Sequence, residues 1–195
     1  MEAAGGQAMV SWASIKFRGG GEVMAISLDL LQTARLRLMR PTLDDLMPLV
    51  RMHSDPRVMA TLAGVRSEEE TRQGLARHLE HWEEHGFGWW TVRDRMTDES
   101  IGRGGLRHVT VEGLPAIEVG YGLVYEFWGR GLATELARES VRAAFEDLQL
   151  GELVCYTLTT NLASQRVMQK AGFLYERDIL HADLPHVLYR LRRNS

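Results

Sequence analysis

The sequence predicts a single-domain mixed α/β fold, in which a central mixed β-sheet of about seven strands is flanked by about four helices. Its 195 residues suit one domain, and 45% of them are hydrophobic, which is enough for a core. Apolar residues recur with the helical period in some segments and alternate as in strands in others. The predicted elements follow the order β-αα-βββ-α-β-α-ββ, without an internal repeat.

The charge and the cysteine content exclude several classes of protein. The 23 basic and 26 acidic residues give a formal net charge of -3, whereas a general nucleic-acid binder needs a strongly basic face. We therefore expect no nucleic-acid partner. No apolar run approaches the roughly 20 residues that span a bilayer, so we expect no membrane association. The single cysteine, Cys155, cannot form an intrachain disulfide, which predicts a reducing, cytoplasmic location.

The first 31 residues differ in composition from the rest of the chain. They are rich in glycine and small residues and show no sustained hydrophobic period. We therefore predict that residues 1–31 form a flexible N-terminal tail or extension, and that residues 32–195 form the folded domain.

The first half of the domain predicts a strand, two helices and a hairpin. Leucine and arginine alternate within residues 35–38, as in a half-buried strand. Thr42 and Ser67 are suitable N-caps for two helices, because acidic residues and then an apolar stripe follow each of them. Two strands, at about residues 87–94 and 100–109, are joined by a polar turn.

The second half predicts one longer strand, two helices and three short strands. The longer strand, at about residues 116–125, leads into a glycine-rich turn, and the most regular amphipathic helix follows and ends near Gly151. A β-rich run at residues 153–158 precedes a helix over residues 161–171. The remainder predicts two more strands.

The glycine-rich turn carries the first chemical signal, and it reads Trp128-Gly129-Arg130-Gly131-Leu132-Ala133-Thr134. Glycines let the backbone take positive φ and approach a ligand, and a helix start presents unpaired N–H groups at the positive end of its dipole. Such a turn can hold a pyrophosphate, although a plain strand-to-helix turn has the same pattern. A nucleotide-binding oxidoreductase and a Walker A loop are disfavoured, because the third glycine and the Gly-Lys-Ser/Thr sequence are missing.

A second segment, Asn161-x-x-Ser164 with Ala171-Gly172-Phe173, strengthens that signal. Together with the glycine-rich turn and the strand Glu118-Val119-Gly120-Tyr121-Gly122-Leu123, it resembles the GNAT superfamily of acetyl-CoA-dependent N-acetyltransferases, most closely the RimJ/RimL branch. The resemblance runs from about Thr33 to Leu191 and rests on the order and spacing of the pieces. It implies a GNAT-like fold splayed around the coenzyme, an N-acetyltransferase activity, acetyl-CoA as co-substrate and no metal.

The resemblance also implies which residues bind the coenzyme. Backbone N–H groups of the turn would hold the pyrophosphate, and the preceding strand end would pair with the pantetheine arm. Asn161 also suits a helix cap, and Arg166 also suits a solvated helix face. The implied coenzyme-binding residues are Leu123, Val124, Tyr125, Gly129, Arg130, Gly131, Leu132, Ala133, Thr134, Asn161 and Arg166.

Direct attack of an amine on the thioester needs a base, because an α-amine with a pKa of about 8 is mostly protonated at neutral pH. The resemblance implies Glu118 as this base, acting directly or through a water; a surface ion pair is the alternative role. Many members carry a tyrosine seven residues after the asparagine, where this chain has Met168. The resemblance then implies Ser164 as the acid for the thiolate, with a role as a small packing residue as the alternative.

The expected function is acetyl transfer to a primary amine, which is either a protein N-terminal α-amine or a small-molecule amine. A non-catalytic acyl-CoA-binding module is the alternative. Acidic residues of the second helix could steer a basic peptide, but a solvated helix face also explains them. Homologous-looking proteins are commonly dimers, so we also expect a homodimer.

Three histidines share one predicted face of the second helix. His78, His81 and His85 could approach a metal, but no acid or cysteine completes a site. We therefore expect a solvated face and no metal. Cys155 lies in a strand without a Cys/His pattern, which predicts buried packing rather than a nucleophile.

Overall fold

An eight-stranded mixed sheet organises residues 27–193, the part of the chain that this computed structural model describes. The strands lie across the sheet in the order β1-β2-β3-β4-β5-β6-β8-β7. Their bounds are β1 Leu30–Gln32, β2 Leu36–Met39, β3 Trp89–Asp94, β4 Ser100–Val111, β5 Leu114–Leu123, β6 Glu152–Leu158, β7 Leu174–His181 and β8 Leu184–Arg192. All neighbours are antiparallel except β5 and β6, which are parallel.

Five helices accompany the sheet in the described part of the chain. They are α1 Leu46–Ser54, α2 Pro56–Met59, α3 Glu68–His85, α4 Leu132–Arg142 and α5 Leu162–Lys170. A 3-10 turn at Leu43–Asp45 precedes α1, and another at Tyr125–Phe127 follows β5. Within residues 27–193, no helix combines the length and the apolar character that crossing a bilayer requires.

The mixed α/β fold is confirmed, and the structure corrects the element counts. It has eight strands and five helices, against about seven and about four predicted. The additional helix, α2, is a single turn that begins at Pro56, where Asp55 accepts a hydrogen bond from the Arg57 N–H at 2.8 Å. Four residues were too few to give a periodic signal in the sequence.

The additional strand, β1, begins inside the segment predicted to be a tail. Leu28 is also buried against the core, where its carbonyl oxygen accepts a hydrogen bond from the Trp90 indole at 2.8 Å. Residues 28–31 therefore belong to the folded domain, which begins before the predicted boundary at residue 32. Residues 1–26, the rest of the predicted tail, lie outside the described residues.

Capping explains the bounds of α3. The Ser67 hydroxyl accepts a hydrogen bond from the Glu70 N–H at 3.2 Å, and the Glu70 carboxylate accepts one from the Ser67 N–H at 2.7 Å. At the other end, Gly86 adopts a left-handed φ of 70° and ends the helix. The N-terminal bound agrees with the predicted cap at Ser67, because capping residues act locally.

Strands β5 and β6 separate soon after they meet. Their shared ladder contains one pair, Glu118 with Val154. Beyond it, β5 stays paired with β4 up to Leu123, and β6 stays paired with β8 up to Leu158. The divergence leaves a gap in the sheet beside α4 and α5, where a ligand can enter.

Close packing holds α4 against β4 at this point. A side-chain carbon at Gly104 would lie 2.6 Å from the carbonyl oxygen of Gly120 on β5 and 2.8 Å from Leu136 of α4. Leu136 is completely buried in the main hydrophobic core. The absence of a side chain at Gly104 therefore sets the distance between the helix and the sheet.

We expect Gly104→Ala to lower the free energy of unfolding by about 1–3 kcal/mol, because the added methyl group must displace backbone. Gly151→Ala is the matched control, since a side chain there meets no atom within 4 Å. We expect it to change stability by less than about 0.5 kcal/mol. Urea unfolding of both variants measures the difference, and equal stabilities would contradict this account of the packing.

Candidate active site

A cavity of about 730 Å³ fills the gap between β5 and β6. One end lies against the turn that precedes α4, and the cavity extends past Glu118 to α3 and β3. It brings together Glu118, Ser164, Asn161 and Arg166 with most of the predicted turn residues. Most of the predicted site residues therefore line one cavity although they are distant in sequence, whereas Val124, Tyr125 and Arg130 are not among its lining residues.

The turn before α4 has the backbone shape that a diphosphate requires. Gly129 and Gly131 take positive φ values of 73° and 78°, and Gly131 is the N-cap of α4. Glycine has no side chain to accept the first helical N–H groups, and no other side chain caps this helix end. Gly131, Leu132, Ala133 and Thr134 line the cavity, so an anion there would meet the positive end of the helix dipole.

Arg35 holds this turn in place. Its Nη1 donates to the carbonyl oxygen of Arg130 at 2.8 Å, and its Nε donates to the Glu135 carboxylate at 2.7 Å. Glu135 also accepts a hydrogen bond from Thr33 at 2.6 Å. Burial alone would raise the pKa of the Glu135 carboxyl group, but the hydrogen bonds from Thr33 and Arg35 outweigh burial and lower this pKa overall. Glu135 thus anchors the turn through its contacts with Thr33 and Arg35.

The strand end predicted to pair with pantetheine is already partly engaged. The carbonyl oxygen of Leu123 accepts a hydrogen bond from the Trp128 indole at 2.8 Å, and that of Val124 accepts one from the Phe127 N–H at 3.1 Å. The Val124 N–H donates to Ile101 on β4 at 2.9 Å. Because N–H groups alternate in direction along a strand, the Leu123 N–H faces the gap. It is the group of this stretch that is best placed for a ligand.

Asn161 caps α5. Its Oδ1 accepts a hydrogen bond from the Ser164 N–H at 3.1 Å, and its Nδ2 donates to Thr157 at 3.0 Å. The amide retains one further N–H for a ligand. Arg166 lies exposed on the cavity wall one turn along α5, and Lys170, which the sequence analysis did not select, lies on the same wall. Both cations are placed to meet phosphate groups.

Glu118 is buried, and its carboxylate forms an ion pair with Arg107, its partner across the β4–β5 ladder. The alternative role in a surface ion pair is therefore half correct, because the pair exists but lies inside the cavity wall. Burial works against the charged form of Arg107, but the Glu118 carboxylate raises its pKa overall. The ion pair thus fixes both side chains on the cavity wall.

A tyrosine that the sequence analysis missed lies beside Ser164. The Tyr121 hydroxyl is 2.9 Å from the Ser164 hydroxyl and 3.1 Å from the Ser164 carbonyl oxygen. Burial raises the pKa of Tyr121 well above its ordinary value, so this phenol keeps its proton. Met168, at the position where many family members have tyrosine, is completely buried in the core. Tyr121 thus places a phenol next to Ser164 from a different element.

The lone cysteine also lies on the cavity wall. Cys155 is buried on β6, and burial raises the pKa of its thiol well above the ordinary value. A thiol that stays protonated is a weak nucleophile. The structure therefore agrees with the interpretation of Cys155 as a packing residue.

The three histidines of α3 do not act as one group. His78 turns toward the cavity and stacks on Trp89 at 4.9 Å between ring centres. His81 and His85 instead approach His108 of β4, with ligand atoms of the three rings within 4.8 Å of one another. His81 already donates to the Phe87 carbonyl oxygen and accepts the His108 N–H at 3.1 Å. Its lone pair is thus engaged within the protein.

The fold and the cavity define a class of protein, the transferases that use an acylated coenzyme A. One end of the cavity lies at the start of α4, where glycines leave backbone N–H groups open to a diphosphate. The same cavity contains the buried carboxylate of Glu118. Residues 35–174 match the family described as Acetyltransferase (GNAT) domain, and the chain belongs to that family. It is an N-acetyltransferase, and its co-substrate is acetyl-CoA.

Several known proteins are similar to this chain. FsC-acetyl coenzyme A-N(2)-transacetylase of Aspergillus fumigatus is 31% identical over 160 residues, which cover 74% of this chain and 65% of that protein. An acetyltransferase structure from Agrobacterium tumefaciens matches with a TM-score of 0.76 and 27% identity, covering 89% of this chain and 100% of that one. RimL, a ribosomal L7/L12 alpha-N-protein acetyltransferase solved with coenzyme A, matches at 0.67 and 19% identity, covering 84% and 97%.

The structure predicts that acid weakens the folded state through two histidines, His53, which is buried, and His78, which is partly buried. Burial and the nearby Arg103 lower the pKa of His53 to about 3 and that of His78 to about 2. In the unfolded chain both titrate near 6.5. The unfolded state thus binds more protons below pH 6.5, so this stability is present above pH 6.5 and is lost as the pH falls toward 3.

Urea unfolding between pH 7.5 and pH 4.5 tests this expectation. The free energy of unfolding should fall with decreasing pH below 6.5, and His53→Gln should reduce the slope by up to about 1.4 kcal/mol per pH unit. His85→Gln is the control, because His85 is the last residue of α3 and its ring is only partly buried. Parallel pH dependences for the wild type and His53→Gln would contradict the assignment.

Proposed function

We propose that this protein transfers the acetyl group of acetyl-CoA to a primary amine by direct attack in a ternary complex. One observation carries the proposal. A single cavity contains the turn before α4, whose backbone N–H groups can bind a diphosphate, together with Glu118 and the hydroxyl pair of Ser164 and Tyr121. The similarity to RimL supports the RimJ/RimL branch and a protein N-terminal α-amine as acceptor. A small-molecule amine is the other candidate class. The single buried Cys155 supports action in a reducing compartment such as the cytoplasm.

In this proposal the coenzyme lies along the gap between β5 and β6. Backbone N–H groups at Gly129–Thr134 bind the diphosphate, and the exposed guanidinium of Arg130 adds a charge-assisted contact. The Leu123 N–H and the remaining Asn161 N–H bind pantetheine amides. Arg166 neutralises phosphate charge at the rim. This arrangement directs the thioester toward the centre of the cavity.

Glu118 acts as the base in this proposal. The amine nitrogen attacks the thioester carbonyl carbon, a C–N bond forms, and the C–S bond breaks. The Glu118 carboxylate accepts the surplus ammonium proton directly or through a water. The ion pair with Arg107 fixes the position of this carboxylate in the cavity. A fixed position lowers the entropic cost of the proton transfer.

The Ser164–Tyr121 pair supplies the proton that the departing thiolate needs. Either hydroxyl can donate to the other, so a proton given by Ser164 is replaced from Tyr121. The phenolate then regains a proton from solvent as Glu118 releases the one it accepted, so no net proton is gained or lost by the protein. The raised pKa of Tyr121 keeps that phenol protonated at neutral pH. The two hydroxyls thus provide the donor that Met168 cannot provide.

A Glu118→Gln variant tests the base. We expect the rate of acetyl transfer to fall by about 10²- to 10⁴-fold, while the dissociation constant of acetyl-CoA changes by less than about twofold. Glu112→Gln is the control, because Glu112 is an ion-paired acid outside the cavity, in the β4–β5 turn. An unchanged rate would remove Glu118 as the base. If His181→Gln instead lowers the rate of acetyl transfer, the base would be His181, another residue of the cavity wall.

A Gly131→Val variant tests the diphosphate turn. Valine cannot readily take the φ of 78° found there, and its side chain would cover the N–H groups of the helix start. We expect the acetyl-CoA dissociation constant, measured by calorimetry, to rise at least about tenfold. Gly113→Val is matched, because Gly113 has a φ of 82° but lies in the distant β4–β5 turn. Equal coenzyme affinity in both variants would contradict the proposed turn.

Binding of acetyl-CoA without turnover, as in a non-catalytic acyl-CoA-binding module, is the result that would contradict the transfer activity. A transfer screen with peptides, amino acids and polyamines, read by release of the coenzyme A thiol, separates the two functions when acetyl-CoA binding is measured in parallel. Thiol release that depends on an added amine supports the enzyme. Binding of acetyl-CoA without release in the presence of any amine supports the module.

A further inference from the structure

The cavity beyond Glu118 is lined by positive charge. In the described part of the chain, Glu118 is the one carboxylate on the cavity wall, and Arg107 already neutralises it. The cations on the wall are Arg57, Arg66, Arg77, Arg103, Arg107, Arg166 and Lys170. Arg166 and Lys170 lie on α5 beside the coenzyme turn, whereas Arg66, Arg77 and Arg103 belong to the region of α3 and β4. Binding of the coenzyme explains the first two cations, but the presence of Arg66, Arg77 and Arg103 in the cavity needs a different explanation.

Arg103 is a buried cation aimed into this region. It is only 6% exposed, and its Nε donates to His53 at 3.0 Å. Its guanidinium lies 4.1 Å from the Trp89 ring centre. His53 is neutral and brings no negative charge, and among residues 27–193 no carboxylate forms an ion pair with Arg103. The two Nη groups are thus left for another partner, because burying an unpaired cation is costly.

Arg66 and Arg77 converge on the same region from the start and the middle of α3. Arg66 Nη1 and Arg77 Nη2 each lie 3.9 Å from the position that a side-chain carbon at Gly74 would occupy. Neither guanidinium forms an ion pair within residues 27–193. The Glu70 carboxylate is one turn away but is bound by the Ser67 N–H and hydroxyl. Two like charges therefore lie close together without a direct ion pair, and Glu70 is a more distant countercharge to Arg66.

The indole N–H of Trp89 is a neutral hydrogen-bond donor in the same region as these guanidinium groups. Its indole Nε1 is buried and, within the described part of the chain, has no hydrogen-bond partner. Trp89 lies on the cavity wall against Gly120 of β5, two residues from Glu118. Buried donors without acceptors are costly, so a ligand that brings oxygen acceptors would satisfy this end of the cavity.

The acids that could have steered a basic acceptor are engaged elsewhere. Glu68 and Glu69 form ion pairs with Arg72 on the outer face of α3. Glu83 pairs with Arg40. The charge at the cavity is therefore the opposite of what a basic peptide or a polyamine requires.

We propose that the acceptor is a small primary amine that carries an oxyanion, held by Arg66, Arg77 and Arg103. The inference rests on the proposed transferase function. Guanidinium groups match the planar geometry of carboxylates and also bind phosphonates. The acceptor is small because Arg103 is almost completely buried, so the anion must enter the cavity together with the amine. Its nitrogen then lies near Glu118.

Matched acceptors test this proposal. An α-amino acid and its carboxamide share the same side chain and primary amine, and an aminoalkyl phosphonate replaces the carboxylate by a second oxyanion. We expect kcat/KM for the amino acid or the phosphonate to exceed that for the carboxamide by at least about tenfold. The better of the two identifies the oxyanion. Equal or faster transfer to the carboxamide, to polyamines or to an acidic peptide would overturn the proposal.

A second measurement keeps this inference separate from the transferase itself. Calorimetry measures how an N-acetyl amino acid and its carboxamide bind to the complex with coenzyme A. If no amine is acetylated, preferential binding of the acid still supports the oxyanion site while the transferase function fails. Equal binding of the two, or binding of neither, would overturn the oxyanion site.

Variants of the exposed cations complete the test. We expect Arg66→Gln with Arg77→Gln to raise KM for the anionic acceptor about 10- to 100-fold and to reduce the ratio between the acid and its carboxamide. KM for acetyl-CoA should not change. Arg72→Gln is the control, because Arg72 lies on the same helix but outside the cavity. A rise in KM for acetyl-CoA would instead assign these cations to the coenzyme, and equal losses for acid and carboxamide would indicate a structural role.

Discussion

The site depends on the separation of β5 from β6 beyond the pair of Glu118 and Val154. Parallel strands usually continue their ladder, because unpaired backbone groups in a sheet are costly. Here each strand keeps its outer partner instead, β5 with β4 and β6 with β8. The inner edge of β5 is therefore available to an extended ligand, and the helix start of α4 lines the same cavity.

A second constraint is the charge on the walls of that gap. The helix start, Arg166 and Lys170 match a coenzyme with several phosphate charges, and the arginines near α3 match a further anion. Buried neutral groups, such as His53 beside Arg103, hold these cations without cancelling their charge. The cavity is therefore positively charged. Among the described residues on its wall, Glu118 is the one with a negative charge.

Local signals in the sequence predicted the parts of the site that lie within one segment. The Gly129–Gly131 turn and the Asn161 cap follow from residue types and their immediate neighbours, so they agree with the structure. Tyr121 and Ser164 are 43 residues apart, and only the tertiary fold brings their hydroxyls together. Spacing along α3 grouped His78 with His81, but the side chains point toward different neighbours. Such contacts between segments leave no periodic trace in one sequence.

The positive end of the cavity was missed for the same reason. Arg66, Arg77 and Arg103 come from three segments, and the overall charge of -3 conceals their convergence. Strand β1 was missed because three residues are too few for an alternating pattern. In contrast, the main helices and the long strands were predicted correctly, since their apolar periods extend over many residues. The exception is the end of α4, which lies at Arg142 and is followed by a π-helical segment at Ala143–Asp147, before the predicted end near Gly151.

A crystal structure with bound coenzyme A tests the central claim most directly. We expect the diphosphate within hydrogen-bond distance of backbone N–H groups in residues 129–134, and the pantetheine arm between β5 and β6 beside Leu123. The reactive thiol should then lie near Ser164 and Tyr121. A diphosphate bound at Arg66 and Arg77, or a gap between β5 and β6 that remains closed to the pantetheine, would contradict the account.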